Sequence, residues 1–428
     1  MQSVCCRQHL LREQDADDKS EKNQSTIYDL WDTDRPARSL VGTDYEEFIF
    51  QRRMLHIIDE HAATIEQLQR EKQQPLFLFY APHVAHCPLQ VPQAYLDQFD
   101  FMDNDEELCK AQTKNILSPD KQSPLYSCRK QYHAMVKVLD DILGSLVDRL
   151  KHHGLWENTL MVVTSDNGGP VDPEESGATN YPLRGGKYSD WEGGVRATAF
   201  VSGGYIPENR RGKIVRHPIH ICDWYATIPA LSGIDVKEEE SISTDDQRVP
   251  PVDAVDVWPL IMGEYDKQPG DERSVLDHTP TRMEIPLSKN ALIVGEWKLI
   301  WNTKKNVTRS GWTSPDYPNS HTKRHEIDDQ YTNCTTGCLF NLEKDPSERH
   351  NLASQEVLQL ESMMKRLEVL RQGFFENDDR GVDSCPKGYR DREDPLPCAC
   401  WMAVNYYGGF FGPYQEVNVS KSLDTSVS

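Results

Sequence analysis

Residues 159–170 read TLMVVTSDNGGP, an apolar run that stops on Asp166, Asn167, Gly168 and Gly169. Short, β-branched and closed by turn residues, the run reads as a buried strand. It follows directly on residues 126–152, which place Tyr132, Val136, Leu139, Leu143, Leu146 and Leu150 on one face of an amphipathic helix. An earlier block, Leu76 to Tyr80, is aromatic-rich and bounded by prolines, and it predicts a second buried strand whose exit loop carries His83 and His86. Strand, helix, strand in that order predicts a right-handed parallel crossover. Both loops then lie at one carboxyl edge of a sheet, where ligands collect in open α/β folds.

The remaining pattern extends this unit and adds a second. A helical periodicity runs over about 44–70, TAFVSGG reads as a strand, HICDWYATIPALSGID as a covering helix and residues 236–256 as an acidic surface loop. Beyond about 270 come short strand signals in NALIVGEWKLIWN, then LFNLEKDPSERHNL and an amphipathic helix near 355–373. The expected organisation is a polar, disordered leader over 1–26, an α/β domain over 27–270, and a small α+β domain over 271–428 with a Cys-rich tail.

Charge and cysteines limit the partners and the compartment. Lys plus Arg number 47 against 68 Asp plus Glu, a net charge of −21, which argues against nucleic acid or an anionic membrane as a partner. No stretch reaches the roughly 20 apolar residues that span a bilayer, and the first 25 residues lack the apolar core of a secretory signal. Eleven cysteines and four Asn-X-Ser/Thr sequons, at Asn23, Asn306, Asn333 and Asn418, instead suit an oxidising, glycosylating compartment. Cys334, Cys338, Cys385, Cys398 and Cys400 crowd the end of the chain, where cross-links would staple a small lobe. The rival, a zinc cluster, lacks repeated Cys-X-X-Cys pairs.

Three short segments carry chemistry. Asp166 and Asn167 offer the oxygen ligands that Ca²⁺ or Mg²⁺ prefers, with glycines that let the backbone turn and approach a ligand; the bland alternative is an Asn-Gly turn. In NYPLRGGKYSDWEGGVR, Arg184, Lys187 and Arg196 lie among four glycines. Lys187 suits an oxyanion as a compact charge, whereas Arg196 reads as a solvated hairpin residue. His86 could protonate a leaving oxygen or bind an anion, and its neighbour His83 reads as structural.

APHVAHCPLQVP, VVTSDNGGP, NYPLRGGKYSDWEGGVRATAFVSGG, PPVDAVDVWPLI, ALIVGEWKLI and LFNLEKDPSERHNL resemble, in this order, the segments of type I sulfatases, most closely the arylsulfatase B-like branch. The resemblance covers most of 27–375. It implies an alkaline phosphatase-like α/β fold, a large mixed sheet between helices with a smaller C-terminal domain. It also implies one Ca²⁺ and a formylglycine nucleophile acting on a sulfate ester, an aryl sulfate or a sulfated sugar, in a lysosomal or secreted protein. By resemblance, Asp166 and Asn167 are metal ligands, Lys187 holds a sulfate oxygen, and His86 contacts sulfate and aids departure of the alcohol. Calcium, lysine and histidine together would supply the positive charge and the proton that sulfate ester cleavage requires.

Three family features are missing from these 428 residues, one of them the Gly-Lys-Trp-His type segment that supplies a further lysine and histidine to the family site. No Cys or Ser stands in an X-Pro-X-Arg context, and no paired aspartates end an apolar strand. The reading that follows is a chain without the family's front, expected to expose apolar sheet surface, to carry half of the cation's ligands and to hydrolyse sulfate esters poorly or not at all on its own. The alternatives are a non-catalytic product that binds sulfated glycans or a protein partner, and, ranked last, a phosphoesterase.

Overall fold

The structure is a computed structural model that describes residues 28–33, 35–68, 74–86, 89–102, 128–171, 177–234, 252–264, 282, 284–302, 311–312, 332–374, 402–403 and 407–410. The chain divides into two compact units, residues 1–53 with 375–428 and residues 54–374.

In the first unit, β1 (Trp31–Asp32) and β2 (Arg35–Pro36) form a minimal antiparallel pair. The Tyr28 N–H donates to the Gly409 carbonyl at 2.9 Å, and the Arg38 guanidinium sits over the Phe410 ring at 4.8 Å. Helix α1 (Glu46–Gln67) matches the periodicity seen over 44–70. Glu46 and Glu47 in its first turn complement the helix dipole. Its C-terminal part, in the second unit, buries Met54, Ile58 and Ala62, one residue per turn on a single stripe.

The second unit holds α2 (Gln93–Leu96) and the long α3 (Arg129–His152). The helix lies where the sequence predicts it, but its buried stripe is Ala134, Met135, Val138, Ile142 and Leu146, and Val136 is exposed. Two adjacent rows of α3 are apolar, and packing rather than periodicity decides which one turns inward. Arg149 and His153 at its C-terminal end both bind the Asp59 carboxylate of α1, at 2.5 and 2.8 Å.

Strand β3 (Met161–Thr164) forms where predicted, though half-buried to exposed rather than buried, and pairs antiparallel with β4 (Ala199–Ser202), from Met161↔Ser202 to Thr164↔Ala199. The predicted strand over Leu76–Tyr80 does not form. Residues 74–80 have no regular structure, and Phe77 and Phe79 are 70% and 80% exposed. The parallel crossover built on that strand is therefore absent from the described ladders. An apolar block states that surface needs cover; it does not state which segment provides the cover.

Short helix α4 (Glu192–Val195) precedes β4. Helix α5 (Asp223–Leu231) falls within the predicted covering helix, and the buried Asp223 carboxylate accepts from the His220 and Val255 N–H groups and from Arg282 Nε. Helix α6 (Trp258–Met262) ends at Gly263, in the left-handed region at φ 75°. Most of the predicted 236–256 loop lies outside the described residues, as do the 1–26 leader and Cys385, Cys398 and Cys400.

An antiparallel sheet in the order β5 (Glu284–Ser288), β6 (Ala291–Val294), β7 (Trp297–Ile300), β8 (Cys338–Asn341) follows, with α7 (Val357–Arg371) beside it. Strict alternation gives the sheet two faces. Leu292, Leu299 and Leu339 pack on Met363 and Leu367 of α7. Ala291, Ile300 and Phe340 pack on Trp191, Cys334 and Cys338, so this sheet supports the loop that carries Lys187. Cys334 and Cys338 form a disulfide. Among the described residues no cluster of three or more His, Cys, Asp or Glu is arranged for a metal, and no helix is long and apolar enough to cross a membrane.

Candidate active site

Strand β3 ends into the Asp166–Gly169 turn. Asp166 Oδ1 accepts the Asn167 N–H at 2.8 Å, Asn167 Nδ2 donates to the Gly168 carbonyl at 2.8 Å, and Ser165 Oγ donates to the Asn167 carbonyl at 2.7 Å. These bonds leave Asp166 Oδ2 and Asn167 Oδ1 without a hydrogen bond among the described residues. Asp166 is exposed and Asn167 half-buried. Tyr132, at the start of α3, feels the Asp166 charge; burial and that carboxylate push its phenol above the usual range, against the pull of Arg129.

The lysine loop, residues 180–196, is bonded to this turn by backbone. The Gly168 N–H donates to the Gly194 carbonyl at 2.8 Å and the Lys187 N–H to the Gly169 carbonyl at 3.1 Å. Asn180 ties both segments, accepting the Gly169 N–H at 2.9 Å and donating to the Gly169 and Gly185 carbonyls. The glycines act differently from the sequence expectation of a turn cleared for a ligand. A Cβ on Gly168 would lie 1.7 Å from the Gly193 carbonyl oxygen, and one on Gly193 would lie 2.3 Å from the Gly185 oxygen. Their absent side chains let two backbones interlock.

Lys187 Nζ lies 3.0 Å from His86 Nε2, so the two residues assigned to the sulfate group meet although 101 residues separate them. An ammonium has only protons to offer, so the contact is a hydrogen bond in the His86 tautomer whose Nε2 carries no proton. The His83 carbonyl accepts the His86 N–H at 2.8 Å, closing a short turn. Asp166 and Asn167 bond within their own turn, which reaches Lys187 through the Gly169 carbonyl.

Arg184 belongs by sequence to the basic loop, yet it is buried. Its guanidinium lies between the rings of Trp191 and Trp312, at 3.8 and 4.6 Å from their centroids. It donates to the Glu348 carbonyl at 3.1 Å and to Thr332 Oγ1 at 2.7 Å. Arg196 is exposed as expected, 3.9 Å from Glu192. Behind the loop, buried Lys298 of β7 meets Glu192 at 2.8 Å and Glu348 at 2.9 Å, and Glu348 Oε2 accepts the Glu192 N–H at 2.7 Å. Burial pushes Glu348 up to about 7, with Lys298 pulling the other way. Burial would lower Lys298, but the Glu348 and Glu192 carboxylates outweigh it and hold the ammonium above its usual range. Sequence reading missed this triad, since charges in a chain with 27% charged residues read as surface.

The sequon at Asn333 is presented at the surface. Thr335 donates to Asn333 Oδ1 from Oγ1 at 2.7 Å and from N at 3.0 Å. The other three sequons, at Asn23, Asn306 and Asn418, lie outside the described residues.

Residues 4–234 match the sulfatase family, a match that begins inside the stretch read as leader. Mouse arylsulfatase J is 27% identical over 354 residues, which are 79% of this chain and 51% of that protein. Human arylsulfatase A is 26% identical over 338 residues, 77% of this chain and 54% of that protein. Mouse N-acetylgalactosamine-6-sulfatase is 22% identical over 362 residues, 83% and 59% respectively. The chain spans about half the length of these relatives. Among solved structures, Ps i-CgsB in complex with k-i-k-neocarrahexaose aligns with a TM-score of 0.50 at 24% identity, covering 80% of this chain and 59% of that one. The shared fold is α/β, of the alkaline phosphatase-like kind. With the family match covering more than half of its length, this protein is a member of the sulfatase family.

Proposed function

We propose that the site binds the sulfate group of a sulfuric ester and belongs to a sulfatase active site, with Lys187 on a sulfate oxygen and His86 beside the ester oxygen. The observation that carries this reading is the 3.0 Å approach of Lys187 Nζ to His86 Nε2. An ammonium next to an imidazole nitrogen can hold an anionic oxygen and deliver a proton to a neighbouring one. When sulfate takes the ammonium's hydrogen bonds, Nε2 is freed to take up a proton from solvent and pass it to the departing alcohol. The substrate class is a sulfate ester, an aryl sulfate or a sulfated glycan.

Asp166 and Asn167 fit a Ca²⁺ in donor type: one carboxylate and one carboxamide oxygen remain uncommitted at the end of β3. A bound Ca²⁺ would add Lewis-acid charge at the sulfate oxygens. These two residues supply part of the six to eight oxygens such an ion takes. The chain has no Cys-X-Pro-X-Arg or Ser-X-Pro-X-Arg run, so this polypeptide by itself binds the group and turns it over slowly or not at all.

The Cys334–Cys338 disulfide and the exposed Asn333 sequon support an oxidising compartment, lysosomal or extracellular, with Asn333 glycosylated and Asn23, Asn306 and Asn418 as further acceptors. We propose a catalytic-type domain over 27–270, with the family match reaching back to residue 4 into the stretch read as leader, and an α+β domain over 271–428, bounds that differ from those of the two compact units. Titrating the full chain with inorganic sulfate by calorimetry, with and without Ca²⁺, tests the reading. Sulfate binding that disappears in Lys187→Ala is expected. Equal binding by both proteins, together with ordinary turnover of an aryl sulfate by the wild type, refutes both the site and the predicted inactivity.

A further inference from the structure

We propose that Glu348 is a positioning residue for Lys187, clasping with one residue the two ends of the loop that presents the ammonium to His86. The inference rests on the reading of Lys187 as the sulfate ligand. The clasp uses two separate parts of Glu348. Its backbone carbonyl accepts from Arg184 Nη1 at 3.1 Å, three residues before Lys187. Its carboxylate accepts the Glu192 N–H at 2.7 Å, five residues after Lys187. The other carboxylate oxygen lies 2.9 Å from Lys298 Nζ, which reaches Glu192 as well.

Three observations distinguish a positioning role from ordinary packing. Glu348 holds φ 53°, in the left-handed region and without being glycine. Such a conformation persists only where its surroundings over-determine it. The triad is fully enclosed, and a buried ion pair generally adds little stability over a well-packed apolar substitute of the same volume; a role in fixing geometry accounts for charges kept here. Lastly, Lys187 reaches His86 from a flexible stem, and the backbone at 187 sets the point from which that stem must reach Nε2. That backbone is pinned between the two clasped points and by its own N–H on Gly169 at 3.1 Å.

The test reads the Lys187–His86 contact directly. In full-length protein labelled with ¹⁵N-histidine, the His86 Nε2 resonance reports the hydrogen bond from Lys187, and Lys187→Met defines the signal without it. Glu348→Ala is expected to move the resonance most of the way to the Lys187→Met position and to weaken inorganic sulfate binding about tenfold or more, as for a misaligned charged hydrogen bond. Leu367→Ala, a cavity on the far side of the same sheet, controls for general loosening. It should lower stability and leave the His86 resonance in place. If Glu348→Ala does not fold, Glu348→Gln is read in the same way, with a smaller displacement in the same direction expected because its single amide oxygen replaces two carboxylate acceptors. A folded Glu348 variant whose His86 resonance matches wild type overturns the proposal, and so does an equal displacement in Leu367→Ala. Wild-type protein that binds no sulfate removes the functional reading, while the resonance still decides the clasp.

Discussion

The two halves of the Lys187–His86 pair are held in different ways. Lys187 stands on a loop fixed by interlocked glycine backbones, by Arg184 stacked between two tryptophans and by the buried Lys298–Glu192–Glu348 triad. His86 stands at the end of residues 74–86, where Phe77 and Phe79 are exposed and no strand ladder forms. The geometry of the Lys187 arm is built into the fold around it. The His86 arm includes a short turn on His83 and the contact with Lys187 itself.

Substitutions should separate the two arms by the size of their effect. The largest is expected for Lys298→Met, which leaves the Glu192 and Glu348 carboxylates buried without their cation. Losing one partner of a buried ion pair costs about 3–5 kcal/mol, measurable by urea unfolding. Gly168→Ala should come next, at about 1–3 kcal/mol or more, because a methyl group 1.7 Å from the Gly193 oxygen forces the interlocked backbones apart.

A pH series gives a smaller effect with a defined sign. The ordinary glutamate value of 4.5 applies to Glu348 in the unfolded chain, and burial raises it to about 7 in the folded one. Between these values the folded state binds more protons than the unfolded state, so the Glu348 contribution to stability is greatest below about 4.5 and declines as pH rises to about 7. Lys298 and Glu192 face the carboxyl directly, with Arg184 on its backbone and Arg196 beyond Glu192. Lys298, raised above its usual range, keeps its charge throughout that window. Glu348→Gln should therefore flatten the stability profile between about pH 4.5 and 7, and an unchanged profile would contradict the burial argument. The smallest effect belongs to the other arm. Phe79→Ser should alter stability by no more than about 0.5 kcal/mol, as for an exposed residue; a loss of several kcal/mol would mean that the aromatic segment is packed.

Legibility in the sequence followed the range of the interactions. Strands β3, β4, β6 and β7 and helices α1, α3 and α7 were readable, because each is written in local periodicity. So was Asp166–Asn167 as a strand end with oxygen donors. Lys187 and His86 were singled out by residue type and then assigned by resemblance. The glycines' true partners were not readable, since Gly168 and Gly193 contact each other through the fold rather than along the chain. The triad was hidden for the same reason: 106 residues separate Lys298 from Glu192 and 156 separate Glu192 from Glu348. Residues 76–80 failed as a strand because hydrophobicity encodes a need for burial and leaves the partner open.

The central claim is that Lys187, set against His86 beside the Asp166–Asn167 turn, is the anchor for a sulfate group. Calorimetric titration of the full chain with inorganic sulfate, comparing wild type with Lys187→Ala, measures it most directly. Saturable binding in the wild type and none in the variant is the predicted result; indistinguishable titrations of the two proteins would contradict it.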